Sequence, residues 1–121
     1  MISASNIYLV GPMGVGKTTV GKALAKSLGM DFIDSDQQIE DRTGVSISTI
    51  FDIEGEEGFR KREAQMIFEL VQKKNIVLAT GGGAVAREDV RKVMRHNGLV
   101  IYLHATVEML VERTRSSKNR P

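Results

Sequence analysis

Short apolar runs recur along the chain without the polar-apolar alternation of a half-exposed strand. They lie at residues 7–10, 76–79 and 99–103. Continuous apolar runs of this length are typical of strands covered on both faces, as in a parallel sheet. A weaker strand is predicted at 31–33.

Between these runs, apolar residues recur every three or four positions, the period of an amphipathic helix. This spacing predicts a helix over 18–28, ended by Gly29, and another from 59 to about 74. Two further helices are expected at 87–95 and 106–114. Strands that alternate with helices predict an α/β fold with βαβ crossovers.

Composition favours a single globular domain. The chain has 121 residues, 41% apolar and 26% charged, with no repeat or Pro/Gly/Ser-rich linker. The longest apolar run is five residues, far below the roughly 20 of a membrane span, and no secretory signal is visible. Without cysteine the chain has no disulfide or thiolate metal site, which favours the cytoplasm.

Charge is unevenly distributed. The net charge is +2, yet the segment 31–57 holds nine acids and one base, and the rest of the chain holds 16 bases and six acids. The bases are scattered rather than continuous. This distribution favours a pocket for a small anion over a nucleic-acid surface.

The end of the chain predicts a longer protein. The run 99–103 has the composition of a fully covered strand, but nothing after it could pair with or cover it. An uncovered apolar edge is a liability. We therefore expect these residues to be the front part of a longer polypeptide.

The segment 11–18 reads Gly-Pro-Met-Gly-Val-Gly-Lys-Thr and matches G-x-x-x-x-G-K-[ST] in full, between a strand and a helix. In such a loop, glycines let backbone N–H groups wrap phosphates, and the helix start adds a positive dipole end. Lys17 would place its charge on the β- and γ-phosphates, and the Thr18 hydroxyl would bind Mg²⁺. The loop predicts a nucleoside-triphosphate site.

Two carboxylates follow the weak strand. GTPases and ATPase motors hold Mg²⁺ with an acid after another apolar strand, but neither 76–79 nor 99–103 is followed by one. Asp34 is then the expected metal carboxylate, and Asp36 could accept a proton from an attacking hydroxyl. Alternatively, Asp34 or Ser35 only caps the following helix.

Two further groups indicate a substrate site. The glycines 81–83 follow a buried strand, and three in a row favour close approach of a ligand to bare N–H groups over a simple turn. Glu63 lies on the apolar stripe of its helix, with Arg60 one turn earlier. An inward Arg–Glu pair would suit a substrate carboxylate, although a solvated basic face is an equal alternative.

Taken together, these motifs resemble the shikimate kinase family. The resemblance runs from Asn6 to Pro121, and the P-loop is its least specific part. The segments that carry it are 11–18, Asp34-Ser35-Asp36, Phe51-Asp52-Ile53-Glu54-Gly55-Glu56-Glu57-Gly58-Phe59-Arg60, Thr80-Gly81-Gly82-Gly83 and Asn119-Arg120-Pro121.

The resemblance implies a three-layer P-loop kinase fold, with a parallel sheet of order 2-3-1-4-5 and helices on both faces. The fifth strand and a mobile lid would follow residue 121. It also implies transfer of the γ-phosphoryl of ATP to the 3-hydroxyl of shikimate, with Mg²⁺, in a cytoplasmic enzyme of aromatic amino acid biosynthesis. We expect a monomer with no nucleic-acid or membrane partner.

The resemblance also implies roles for individual residues. ATP phosphates would contact the loop residues Gly14, Val15, Gly16, Lys17, Thr18 and Thr19. Arg113 would lie near adenine, and Arg120 would reach the phosphates. The catalytic residues would be Lys17, Asp36 and Arg120. Shikimate would be held by Asp36, Arg60, Glu63, Gly81, Gly82 and Gly83, and Mg²⁺ by Thr18 and Asp34.

Two other functions remain open on the sequence. One is a different small-molecule kinase of the same fold, such as a gluconate kinase. The other is a nucleotide-binding fragment that transfers nothing.

Overall fold

The computed structural model describes residues 6–12 and 14–104. Four parallel strands form one sheet in the order β2-β3-β1-β4. The strands are β1 (Ile7–Val10), β2 (Asp31–Asp34), β3 (Ile76–Ala79) and β4 (Leu99–Tyr102). This order confirms the α/β prediction and the first four positions of the expected 2-3-1-4-5 sheet.

Helices connect the strands. They are α1 (Lys17–Leu28), α2 (Ser35–Thr43), α3 (Ile47–Leu70) and α4 (Glu88–Asn97), with a short 3₁₀ turn at Ala84–Ala86. Each crossover carries the chain back so that all four strands run in one direction. The predicted helix 106–114 lies outside the described residues.

The central strand β1 faces a different helix layer on each side. Leu9 packs with Ala25 of α1, whereas Tyr8 and Val10 pack with the apolar faces of α3 and α4. Successive strand side chains point to opposite faces, so a continuous apolar run is needed to fill both layers. The carboxyl ends of all four strands therefore meet at one edge of a three-layer structure.

The structure corrects two sequence predictions, the covering of both faces of the strand at 99–103 and the bounds of the helix predicted from residue 59. The run 99–103 is not fully covered, since Leu99 and Tyr102 are each about half exposed. Within the described residues β4 pairs only with β1, so it lies at an edge. The helix predicted from 59 to about 74 ends at Leu70, because the chain turns there.

The same helix starts much earlier than predicted. It begins at Ile47 after Ser46, whose hydroxyl accepts a hydrogen bond from the Thr49 amide, and it bends sharply at Gly55 (φ 74°, ψ 178°). Only glycine adopts that backbone conformation readily. We call residues 47–54 the outer arm and residues 56–70 the inner arm of α3.

No helix in the described part of the chain is both long and apolar enough to cross a bilayer.

Candidate active site

The loop between β1 and α1 forms a cradle at the carboxyl edge of the sheet. Lys17, the first residue of α1, donates hydrogen bonds from Nζ to the carbonyl oxygens of Gly11 (2.5 Å) and Pro12 (3.0 Å). Gly14 and Gly16 both have positive φ, and Gly16 caps the helix without a side chain. The first amides of α1 are thus left to an anion.

Asp34 divides its two carboxylate oxygens between two tasks. Oδ1 accepts hydrogen bonds from the amides of Asp36 (2.9 Å) and Gln37 (3.1 Å), which caps α2. Oδ2 faces the hydroxyl of Thr18 at 3.4 Å, longer than a typical O–H···O bond. The capping role and the proposed metal role are therefore compatible, because they use different oxygens.

One open cleft of about 300 Å³ extends from the phosphate loop to Asp34 and Asp36. Its walls come from the ends of β1, β2 and β3, the edge at which α/β sheets bind ligands. The lining residues are Gly14, Gly16, Lys17, Thr18, Thr19, Asp34, Asp36, Thr80, Gly81 and Gly82.

Asp36 and Glu63 converge beside Gly81. A Cβ on Gly81 would lie 2.9 Å from Oδ1 of Asp36 and closer than 3.0 Å to Oε2 of Glu63. Both oxygens are buried and find no hydrogen-bond partner among the described residues. Buried oxygens of this kind normally have a donor, and a substrate hydroxyl would supply one.

Arg60 forms the far end of this group. Its Nη1 donates to Oε1 of Glu63 at 2.8 Å, and Glu63 itself is only 2% exposed. The Arg60 guanidinium lies 5.3 Å from the ring centroid of Phe59 and keeps 27% of its side chain exposed. The Arg60 guanidinium is thus held in place but remains accessible to a binding partner. Because Glu63 is buried beside Gly81, the Arg60–Glu63 pair faces the site and is not part of a solvated basic face.

The glycines 81–83 also leave room for charged side chains of the protein itself, which was not predicted from the sequence. A Cβ on Gly83 would approach the Arg60 guanidinium closer than 3.0 Å, and one on Gly81 would meet Glu63 and Asp36. The run makes room for the protein's own charged side chains, in addition to any ligand.

Burial and crowding shift the ionisation of the site. Burial, followed by the carboxylates of Glu63 and Asp34, raises the pKa of Asp36 to about 6, although the Arg60 guanidinium opposes this. The pKa of Glu63 is also raised, mainly by burial and against the effect of Arg60. Burial lowers the pKa of Lys17, while Asp36 and Asp34 act to raise it.

Some predicted residues lie elsewhere. The side chain of Val15 is buried in the loop, while Arg113 and Arg120 lie outside the described residues. Thr80 lines the cleft and was not predicted; its hydroxyl donates to the Leu9 carbonyl at 3.1 Å. A polar residue directly after a buried strand was the available signal.

The side-chain oxygens of Thr18 and Asp34 suit a small hard cation whose other coordination positions are filled by phosphate and water. Among the described residues no group of three or more His, Asp or Glu side chains could hold a metal. Thr18 and Asp34 nevertheless offer neighbouring oxygens at the mouth of the phosphate cradle. Mg²⁺ commonly takes one or two protein oxygens, with waters and substrate phosphates filling the other positions.

Comparison with known proteins shows which family the chain resembles. The family model described as shikimate kinase matches residues 13–121. The chain is 61% identical over 118 residues to a shikimate kinase of Chromobacterium violaceum, which covers 98% of this chain and 64% of that protein. It is 57% identical over 121 residues to a shikimate kinase of Histophilus somni, covering all of this chain and 69% of the relative. The chain thus spans about two thirds of the length of these relatives.

Solved structures show the same similarity. A shikimate kinase from Acinetobacter baumannii in complex with shikimate matches with a TM-score of 0.90 and 52% identity, over 98% of this chain and 66% of that one. A gluconokinase from Sinorhizobium meliloti matches with a TM-score of 0.62 and 20% identity, over 97% of this chain and 67% of its own. The second likeness is one of fold only.

Proposed function

Because the chain belongs to the shikimate kinase family, we propose that it carries the nucleotide site and part of the acceptor site of an ATP:shikimate phosphotransferase. The reaction moves the γ-phosphoryl of ATP to the 3-hydroxyl of shikimate and yields shikimate 3-phosphate and ADP. The observation that carries this proposal is the single cleft that Lys17 and Thr18 share with Asp36.

The acceptor is proposed to lie between Asp36 and Arg60. Shikimate has a carboxylate at one end and hydroxyls at the other, and the site offers the Arg60 guanidinium beside Gly83 and the Asp36 carboxylate beside Gly81. Arg60 would bind the substrate carboxylate, because a planar guanidinium pairs well with it. Glu63 would hold Arg60 in place, and Gly81, Gly82 and Gly83 would contact the substrate through their backbone.

Asp36 is proposed to take the proton of the attacking hydroxyl. With a pKa near 6 it is mostly ionised at neutral pH, yet more basic than an ordinary aspartate. A base whose pKa lies close to the working pH combines availability with proton affinity. Its position beside the phosphate cradle would direct the hydroxyl at the γ-phosphoryl, and this positioning supplies much of the catalysis.

The phosphate loop is proposed to hold ATP through residues 14–19. Lys17 would exchange its bonds to the Gly11 and Pro12 carbonyls for phosphate oxygens. Thr18 and Asp34 would hold Mg²⁺, whose chemistry is to neutralise phosphate charge. Arg113 near adenine and Arg120 near the phosphates are carried over from the family resemblance alone.

A cytoplasmic monomer that contributes to chorismate and aromatic amino acid biosynthesis is part of the same proposal. The competing functions are a gluconate-kinase-like enzyme and a nucleotide-binding protein without transfer. The Arg60–Glu63 pair suits a carboxylate, which shikimate and gluconate both carry, so the preference for shikimate is supported by the 61% and 52% identity to shikimate kinases against 20% to a gluconokinase. Binding without transfer would leave Asp36 with no hydroxyl to activate.

An acceptor panel tests the proposal. ADP formation is measured with shikimate, gluconate and other hydroxy acids in the complete polypeptide, alongside Asp36→Asn. We expect saturable turnover with shikimate only, and loss of most turnover in the variant with ATP affinity within a few-fold of wild type. Preference for gluconate, or undiminished turnover by Asp36→Asn, would refute the assignment.

A further inference from the structure

The bend in α3 is closed on its exposed side by a pair that the proposed reaction does not use. Glu54 is the last residue of the outer arm, and Arg62 lies two turns along the inner arm. The Arg62 guanidinium donates from Nε to Oε1 of Glu54 at 2.6 Å and from Nη2 to Oε2 at 2.7 Å. The two bonds join the arms directly across Gly55.

The two arms also pack closely against each other at two other contacts. On the buried side the rings of Phe51 and Phe59, one from each arm, lie 4.8 Å apart between centroids. At Gly58 a Cβ would come within 2.6 Å of the Cβ of Glu54, so the close approach requires glycine. The angle of the bend is thus determined by contacts on both sides.

The inner arm carries one end of the proposed acceptor site, and the outer arm is hydrogen-bonded to α2, which carries the other end. The outer arm is tied to α2 by Glu40, whose Oε2 accepts a 2.9 Å hydrogen bond from the amide of Ile47, and α2 carries Asp36. The inner arm carries Arg60 and Glu63. A change in the bend would therefore alter the separation between the carboxylate-binding and hydroxyl-binding ends.

Arg62 and Arg60 have separate tasks despite their closeness in sequence. Two residues along a helix correspond to a rotation of about 200°. Arg60 accordingly points to Glu63 and Gly83, while Arg62 points away to Glu54. Among the described residues Arg62 makes no hydrogen bond or ion pair with Asp36, Arg60 or Glu63, so its effect on the acceptor would come from the position of α3.

We propose that Arg62 is a positioning residue, which sets the separation of Arg60 from Asp36 by holding Glu54 across the Gly55 bend. This inference rests on the proposed function for its effect on shikimate. Exposed ion pairs usually contribute little to stability, but a two-bond guanidinium–carboxylate pair specifies geometry. We therefore expect the pair to matter for acceptor geometry more than for unfolding.

The test compares Arg62→Gln, Glu54→Gln and the double variant with wild type in the complete polypeptide. Arg87→Gln is the matched control, because Arg87 makes a similar exposed two-bond pair with Asp89 at the start of α4. The KM for shikimate, kcat, ATP affinity and Tm are measured. Amide hydrogen exchange over residues 47–54 is followed without substrate.

We expect the KM for shikimate to rise about three- to tenfold in both single variants, with ATP affinity and Tm close to wild type. The double variant should be no worse than either single one, since both remove the same contact. Exchange over 47–54 should be faster in these variants and unchanged in Arg87→Gln. Gly58→Ala, which forces the arms apart, should raise the same KM.

Unchanged shikimate KM and unchanged exchange would overturn the proposal. So would a fall in Tm and ATP affinity that Arg87→Gln shares, because that pattern is a general effect of losing an ion pair. If wild type does not phosphorylate shikimate, the proposed function fails, and the exchange comparison still decides whether the pair sets the bend.

Discussion

The carboxyl groups of Asp36 and Glu63 face the same point beside Gly81, each with one oxygen that has no partner among the described residues. Two carboxylates in a confined space repel each other when both are ionised. The arrangement keeps acceptor oxygens available for a ligand, and it should cost stability in the empty protein.

Asp36→Asn should stabilise the protein at pH 8. The pKa of Asp36 is raised from its ordinary value of 3.8 to about 6 in the fold, so folding disfavours its ionised form. The cost is absent below pH 3.8, grows between pH 3.8 and 6, and is complete above 6. With allowance for solvent screening, removing it should contribute about 1–2 kcal/mol, seen as a Tm higher by several degrees.

The gain in Tm should shrink as the pH falls towards 4. Asp52→Asn, which removes an exposed carboxylate on the outer arm, is the control and should leave Tm nearly unchanged. A destabilised Asp36→Asn at pH 8, or a gain that persists in acid, would show that the site does not repel charge at Asp36.

The pH profile of kcat/KM for shikimate should bend near pH 6. Below that value Asp36 becomes protonated and cannot accept the hydroxyl proton, so the rate should fall about tenfold per pH unit. Glu63→Gln removes a carboxylate that raises the pKa of Asp36, and the bend should therefore move to lower pH. The position of the bend is the readout, because Glu63→Gln also loosens Arg60 and lowers the rate at every pH. A bend that stays in place would contradict the assignment of Asp36 as base.

Lys17→Met should weaken ATP binding about tenfold or more, because it removes the ammonium group that is proposed to contact the ATP phosphates. Shikimate affinity should stay within about twofold, since Lys17 is proposed to contact ATP, whereas Arg60 lies beside Gly83 and does not line the cleft around Lys17. Calorimetric titration with each ligand separates the two effects. Lys22→Met, an exposed lysine on the same helix, is the control. Equal loss of both ligands would indicate that the variant is misfolded.

Gly83→Ala should raise the KM for shikimate by displacing the Arg60 guanidinium, which its Cβ would contact. Gly44→Ala is the matched control: its Cβ would have open space, but φ is 75°. That variant should lose about 1 kcal/mol of stability with an unchanged KM. Kinetics together with thermal unfolding distinguish the two cases. A wild-type KM for shikimate in Gly83→Ala would contradict this prediction, because it would show that the Arg60 guanidinium can move without weakening shikimate binding.

Local patterns predicted much of this fold because few residues determine each element. Continuous apolar runs identified β1 and β3, and the periodicity before Gly29 identified α1. The outer arm of α3 was missed because it is short and continues into an acidic segment containing Gly55 and Gly58. Glycines inside a helix usually signal its absence, whereas here one allows the bend and the other the contact between the arms.

Side-chain relationships were harder to predict than elements. The spacing of Arg60 and Glu63 allowed an inward pair or a solvated one, and only the burial of Glu63 decides between them. The exposure of β4 could not be predicted from its composition, because the position of a strand in a sheet is a tertiary property. No role was predicted for Arg62 from the sequence, since nothing local links it to Glu54 eight residues away.

One cleft is proposed to bring an ATP phosphate and a shikimate hydroxyl together for direct transfer. Phosphorus NMR of the complete polypeptide with ATP, Mg²⁺ and shikimate tests it most directly. We expect each ADP formed to be matched by one phosphate ester on the 3-hydroxyl of shikimate. Release of inorganic phosphate instead, or ATP that binds without being consumed, would contradict it.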